Sequence, residues 1–253
     1  MITLRTGSHA LNIITLLSVT GEFPMRSLKL LGNERVLKAL VHKMTTPQDY
    51  RLPHTQTEER ITCKLLNVSG KGSSKSIRFS KAALPILEWI HPDAYDYYMH
   101  SFWDHKFPGD AAHIERNHRV AESVMMCMAA GIECRPYSLP SLQNMQISLT
   151  VPEYSAYYLA KDLKKLGDSE MSKTVFTRMA GAIFSQSEAY AVYNTRNALM
   201  KWNGMGEFSE GFTSTTGATH SQVCIFVLLR IKKIDNAKRI VMPIDSKQNA
   251  CII

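Results

Sequence analysis

The sequence predicts an α+β chain, and three observations carry that prediction. Residues 8–44 hold three short helical patterns in succession. Residues 61–79 hold two strand patterns on either side of a turn rich in glycine and lysine. From residue 112 onward, one long helical pattern is followed mainly by strand patterns, which is typical of an α/β domain.

The positive charge is concentrated in the first third of the chain. Of a net charge of +8, residues 1–90 contribute +7, because they hold 13 Lys and Arg against 6 Asp and Glu. Clustered cations favour polyanion binding because they displace condensed counterions. We therefore expect a basic N-terminal domain at 1–91, a connector at 92–111 and a C-terminal α/β domain at 112–253.

The N-terminal domain begins with three helices whose ends are marked by capping residues. Ser8 caps the first helix and Gly21 ends it. Pro24 suits the first position of the second helix, and Asn33 caps a third at 34–44. In the third helix the apolar set expected to face inward is Val36, Leu37, Leu40 and Val41, and the basic set expected to face outward is Arg35, Lys38, His42 and Lys43. Two short helices joined by a tight Gly-Asn turn are typical of a helix-turn-helix.

A β-hairpin and a closing helix extend this pattern. Strands at 61–68 and 76–79 enclose a tip with two glycines and two lysines, and a helix at 82–90 follows. The basic residues of this wing are Lys64, Lys71, Lys75 and Arg78. The element order predicts a winged helix-turn-helix, whose eight basic residues would contact duplex DNA, with Arg35 best placed to reach a base edge. A protein-docking module of the same fold is the alternative.

The C-terminal domain contains one weak catalytic pattern. The predicted strands lie at 145–151, 156–159, 174–178, 182–184, 190–193 and 223–231. Between two of them, Asp162 and Lys164 have the acid-x-lysine spacing that, in a strand, would put a Mg²⁺ ligand and an ammonium group on one face. With Glu122 as a further acid, a restriction-nuclease-like site is one hypothesis. A solvated run of charges is the simpler interpretation, so a binding protein is favoured over a metal-dependent nuclease.

Two other patterns bear on ligands. The segment 190–207 combines aromatic, glycine and charged residues, which fits an interface and equally a buried strand leading into a turn. Its aromatic part, from Tyr190 to Trp202, motivates a ligand-sensing transcriptional regulator as a further alternative. His113 and His118 are five residues apart, whereas helical zinc pairs need a spacing of three or four. No metal site is therefore predicted, and no cofactor is expected apart from Mg²⁺ under the nuclease hypothesis.

The cysteines and the hydropathy indicate a compartment. The five cysteines are an odd number without a CxxC pair, which favours buried thiols in a reducing environment. The longest apolar run, 223–229, is far shorter than a membrane span, so no membrane partner is expected. We expect a cytoplasmic protein.

Five stretches of the chain resemble the replication-relaxation family of Gram-positive plasmids and conjugative elements. They are Leu30 to Arg35, Val68 to Gly72, His113 to Glu122, and Thr177 to Gly181 together with Tyr190 to Asn194. The resemblance would span about residues 8–240. It implies a winged helix joined to a C-terminal α/β domain sometimes compared to nuclease folds, and a role in plasmid replication or conjugative transfer. The acid pairs of an active nuclease are not clear here.

The function expected from the sequence is therefore that of a DNA-binding accessory protein of a mobile element. Its partners would be duplex DNA and a relaxase or replication proteins. A homodimer is expected as well, since helix-turn-helix proteins commonly bind palindromic half-sites as two-fold dimers.

Overall fold

The computed structural model describes two compact units, residues 1–130 and residues 131–253. The described residues are 1–51, 60–102, 111–134, 136, 156–164, 179–185, 188–194, 220–226 and 250–252. The described residues of both units contain helices as well as strands, and this mixed composition is consistent with the α+β class. No helix within those ranges is long and apolar enough to cross a membrane.

The first unit contains five α-helices and six strands among its described residues. In chain order they are β1 (Ile2–Thr3), α1 (His9–Thr20), β2 (Glu22–Pro24), a 3₁₀ helix (Met25–Leu31), α2 (Glu34–Met44), β3 (Gln48–Arg51), β4 (Arg60–Cys63), β5 (Leu66–Ser69), β6 (Ser76–Phe79), α3 (Leu84–Ile90), α4 (Pro92–Ser101) and α5 (Ala111–Ala129). One three-stranded sheet has the order β1-β3-β4 and another the order β2-β6-β5.

Helix α1 forms the centre of this unit and confirms the predicted boundaries. The Ser8 side chain accepts a hydrogen bond from the backbone N–H of Leu11, and Gly21 ends the helix with φ at 72°. Ile13, Leu16 and Leu17 are completely buried. The helix buries most of its length because other helices and strands pack around it.

The second predicted helix is a 3₁₀ helix, and Pro24 precedes it. Pro24 has extended backbone angles because it ends β2, whose neighbour in the sheet is β6. The third helix, α2, has the predicted limits, and the Asn33 side chain accepts hydrogen bonds from the first turn. Leu37 and Val41 are buried as predicted, but Val36 is 52% exposed, so its inward assignment was wrong.

The strand predicted at 61–68 is two strands that belong to different sheets. β4 pairs antiparallel with β3, whereas β5 pairs antiparallel with β6. The chain breaks between them at Leu65, which is completely buried and whose N–H donates to the carbonyl of Met44 at the end of α2. The β5–β6 hairpin itself has the predicted position, with Ser69 opposite Ser76 at its tip end.

The predicted connector at 92–111 contains helix α4, and α4 packs against α1 and α3. Its Tyr98 is completely buried, and the Tyr98 ring lies edge-on to Phe79 at 5.3 Å between centroids. Helix α5 follows and packs on α1, β2 and the 3₁₀ helix. The first unit therefore extends to residue 130, beyond the boundary at 91 that the sequence predicted, because both later helices complete its core.

The second unit is built on a six-stranded mixed sheet. Its described elements are β7 (Glu133–Cys134), β8 (Ala156–Leu159), α6 (Ala160–Leu163), β9 (Gly181–Ser185), β10 (Glu188–Asn194), β11 (His220–Phe226) and β12 (Ala250–Ile252). The strand order is β12-β11-β10-β9-β8-β7, with β9 antiparallel to both neighbours and the other pairs parallel. The strands predicted near 156, 182, 190 and 223 are present; those at 145–151 and 174–178 lie outside the described residues.

Candidate nucleic-acid interface

A groove of about 780 Å³ runs between α2, the 3₁₀ helix and the β5–β6 hairpin. Its described lining residues are Met25, Arg26, Lys29, Glu34, Lys38, Val41, His42, Thr45, Lys64, Val68, Gly72 and Lys75. The lining therefore contains five Lys or Arg side chains and one histidine but a single carboxylate, that of Glu34. The groove is strongly basic, and four of its basic residues (Lys38, His42, Lys64 and Lys75) were predicted from the sequence.

Helix α2 presents three faces because successive residues are about 100° apart around its axis. Leu37, Val41 and Met44 are buried on the face that packs on the unit. Lys38 and His42 line the groove on the hairpin side. The remaining exposed face carries Arg35, Val36, Ala39 and Lys43. The side chain at the middle of that face is the small Ala39, so another molecule could approach the helix closely there.

Five of the predicted basic residues are exposed and make no ion pair within the part of the chain that the structure describes. They are Arg35, Lys43, Lys64, Lys71 and Lys75. Two of them flank the hairpin tip, where Gly70 has φ at 84° and an added Cβ would meet the carbonyl oxygen of Ser74 at 2.7 Å. The tight tip thus needs a glycine, and it holds its lysines out in solvent. These cations are available to an anionic partner.

Lys38 is available only in part, because it is paired along its own helix. Its ammonium group lies 2.7 Å from the carboxylate of Glu34, four residues earlier. The hydrogen bond from Lys38 and its charge hold the pKa of Glu34 below its usual value. Glu34 thus stays ionised at neutral pH and offsets one cation at the groove wall.

Arg78 was predicted to contact DNA, but in the structure its side chain is engaged in an ion pair inside the first unit. Arg78 Nε donates a hydrogen bond to Oε2 of Glu22 at 2.8 Å, and Arg78 Nη2 lies 2.7 Å from the same oxygen. Glu22 is completely buried, and Asn117 Nδ2 donates to its other oxygen at 2.8 Å. Because a buried carboxylate needs such partners, Arg78 is committed to joining β6, β2 and α5.

Arg26 and Lys29 belong to the groove, and the sequence interpretation missed both. Arg26 Nη1 donates to the carbonyl of Ser73 in the hairpin tip at 2.6 Å. Its guanidinium also lies 3.6 Å from Glu122 and 3.8 Å from Glu115, so it ties the hairpin tip to α5. The sequence feature that could have identified them is their spacing of three residues, because side chains three apart point in the same direction on a 3₁₀ helix.

Helix α5 contacts the groove-forming elements through polar side chains that are mostly buried. Ser27 donates to Glu122 at 2.6 Å, and Ser76 lies 2.5 Å from Nε2 of His118. Glu122, predicted as a catalytic acid, is therefore engaged in holding the 3₁₀ helix. Among the described residues, no three or more His, Cys, Asp or Glu side chains are grouped so that they could hold a metal ion.

The predicted acid-x-lysine site loses its geometric basis. Asp162 and Lys164 do not lie in a strand, since residues 160–163 form helix α6 and Lys164 ends it. Residues two apart on a helix point about 200° apart, so the two side chains do not share a face. Asp162 is buried at 3% exposure. Glu122 belongs to the first unit and Asp162 to the second.

The aromatic segment at 190–202 is described only up to Asn194. Tyr190 and Tyr193 lie on β10, and Tyr193 is buried. The rest of the segment, including Trp202, lies outside the described residues.

Comparison of the chain with family models, with curated proteins and with solved structures finds no match.

Proposed function

We propose that the first unit is a winged helix-turn-helix that binds duplex DNA, with α2 as the recognition helix and the β5–β6 hairpin as the wing. The observation that carries this proposal is the groove between α2 and the hairpin, which collects cations from three separate elements. The order of α1, β2, 3₁₀ helix, α2 and the hairpin supports it. Arg26 and Lys38 are paired within the fold, whereas Lys64 and Lys75 are exposed cations that an anionic partner could contact.

The dimensions of α2 suit the major groove of DNA. Its 11 residues span about 16 Å, and a helix with its side chains fits a major groove about 12 Å wide. Arg35 lies in its first turn, where the Asn33 cap fixes the backbone. That position gives the guanidinium access to base edges, where an arginine prefers guanine.

The other cations suit contacts with phosphates. Lys71 and Lys75 flank the wing tip, Lys64 and Lys29 line the groove, and Lys43 lies on the exposed face of α2. Such contacts fix the register of a protein on the duplex and carry no sequence information themselves. His42 faces the groove and adds a further donor. Arg78 and Arg26 hold the wing in place.

The biological role that we propose is that of an accessory protein of a mobile element, in plasmid replication or conjugative transfer. This part rests on the resemblance of the motifs given above to the replication-relaxation family. Under that proposal the partners are DNA near an origin and a relaxase or replication proteins, and the chain acts in the cytoplasm as a homodimer. The direct test is binding of labelled duplex DNA by the full chain, measured by fluorescence anisotropy.

Removing the carboxylate of the groove should strengthen DNA binding. The Glu34→Gln variant deletes the one acid in the described lining and releases Lys38 to contact a phosphate. We expect affinity to rise roughly two- to fivefold at low salt, since such surface charge effects are modest and screened. The matched control is Glu88→Gln, which removes an exposed carboxylate of α3 outside that lining. Equal affinities for wild type and Glu34→Gln would contradict a phosphate contact in this groove.

A further inference from the structure

Val36 is the largest apolar side chain on the exposed face of α2, and nothing in the fold of the first unit accounts for its position. It is 52% exposed, and among the described residues only Met1 and Val68 are further exposed large apolar side chains, the others being buried or half-buried. Exposing a valine on a helix gains nothing in stability, because its branched side chain lowers helix propensity. A single exposed valine is common on protein surfaces, so what connects Val36 with a partner is its place on the same exposed face as Arg35 and Lys43.

The neighbours of Val36 limit what that partner is. Arg35 precedes it, and Lys43 lies at nearly the same angle around the helix two turns later. A single valine between two cations is a poor docking site for an apolar protein surface, which needs a contiguous patch. It suits a surface that is anionic overall but carries isolated apolar groups. The major groove of DNA is such a surface, because thymine presents its C5 methyl group there.

We propose that Val36 packs on a thymine methyl group, beside a base pair contacted by Arg35. The inference rests on the proposed binding of α2 in the major groove. Arg35 and Val36 rise only about 1.5 Å along α2 and diverge by about 100° around its axis, so the two side chains would contact neighbouring but different base pairs when this face enters the major groove. Ala39, one turn after Arg35, leaves the approach clear. The chain should therefore prefer duplexes with a thymine next to a guanine.

The test first selects tightly bound duplexes from a random pool with the full chain. Each thymine of a selected duplex is then replaced by uracil, which removes only the methyl group. At one position this change should weaken wild-type binding about three- to fivefold, the effect expected for burying one methyl group. The Val36→Ala variant should lose the same factor on the thymine duplex and show no response to uracil at that position.

The control variant is Ile61→Val, which shortens a half-buried apolar side chain of β4 outside the described groove lining and should keep the full response to uracil. Equal responses to uracil in wild type and Val36→Ala overturn the thymine contact while leaving DNA binding by the groove intact. If the selection enriches no duplex, both the contact and the proposed function fail. If it enriches duplexes without a common thymine, the contact alone fails.

Discussion

A chain truncated after residue 91 will not unfold cooperatively, whereas one truncated after residue 130 will. The shorter fragment contains every element of the proposed winged helix but lacks α4 and α5. Both helices pack on α1, and α5 also packs on β2 and the 3₁₀ helix. Without them, completely buried side chains of the retained part, among them Phe23 and Leu28, lose covering surface.

The expected loss in the shorter fragment is comparable with the whole stability of a small domain. Tyr98, Val124 and Met125 are completely buried, and each such side chain contributes about 1.5–3 kcal/mol. The fragment also leaves Glu22 without Asn117, and Ser27 without Glu122. Domains of this size are stable by only about 5–15 kcal/mol, so the folded state of the fragment should not be populated.

Thermal melts followed by circular dichroism will separate the two fragments. We expect a sigmoidal transition for residues 1–130 and a gradual, non-cooperative change for residues 1–91. Urea titration should give the same contrast, with a measurable m-value for the longer fragment alone. A sharp transition in the shorter fragment would show that the unit ends near residue 91, as the sequence pattern predicted.

The Glu22→Ala variant should lose about 3–5 kcal/mol of unfolding free energy, the range measured when one partner of a buried ion pair is removed. Glu22 is completely buried and connects β2 to Arg78 of β6 and to Asn117 of α5. The substitution leaves a guanidinium that is only partly exposed, and an amide, both facing the cavity that the lost carboxylate occupied. Urea unfolding of the full chain measures the change.

Two further variants test whether the loss in Glu22→Ala comes from breaking the buried Glu22–Arg78 ion pair and not merely from removing a carboxylate. Asp49→Ala removes a half-buried acid that accepts a hydrogen bond from Thr62 at 2.6 Å and makes no ion pair in the described residues, and it should cost about 1 kcal/mol or less. The double variant Glu22→Ala with Arg78→Met should be more stable than the sum of the two single losses predicts, because no unpaired buried charge remains. Additive losses, or a Glu22→Ala loss as small as that of Asp49→Ala, would contradict the structural role assigned to the pair.

The sequence predicts best those features that depend on neighbouring residues. Caps at Ser8 and Asn33 mark α1 and α2 because a side chain three or fewer residues away satisfies the free N–H groups. The hairpin tip is equally local, since glycines allow its turn. The predictions failed where distant residues decide. The break at Leu65 depends on a hydrogen bond to Met44, and the helical form of 160–163 removes the acid-x-lysine face.

The same distinction applies to the candidate site. Counting charges located the basic region, but it did not distinguish the cations that are free to bind from those that serve the fold. Arg78 and Arg26 engage buried carboxylates on β2 and α5 that lie 56 and 96 residues away along the chain. Lys38 is paired with Glu34. Only the tertiary structure shows these pairings, and it reduces the predicted set to a smaller, exposed one.

The most direct test of the central claim is the salt dependence of duplex DNA binding by the full chain. If Lys29, Lys43, Lys64, Lys71 and Lys75 contact phosphates, the logarithm of affinity should fall with the logarithm of salt concentration with a slope of about −4.5. Replacing both Lys71 and Lys75 by glutamine should reduce the magnitude of that slope by about 2. The control is Lys81→Gln, which should leave the slope unchanged because Lys81 is exposed and lies outside the described groove lining. Binding that is absent, or that shows the same salt slope in all three proteins, would contradict a DNA interface on the wing.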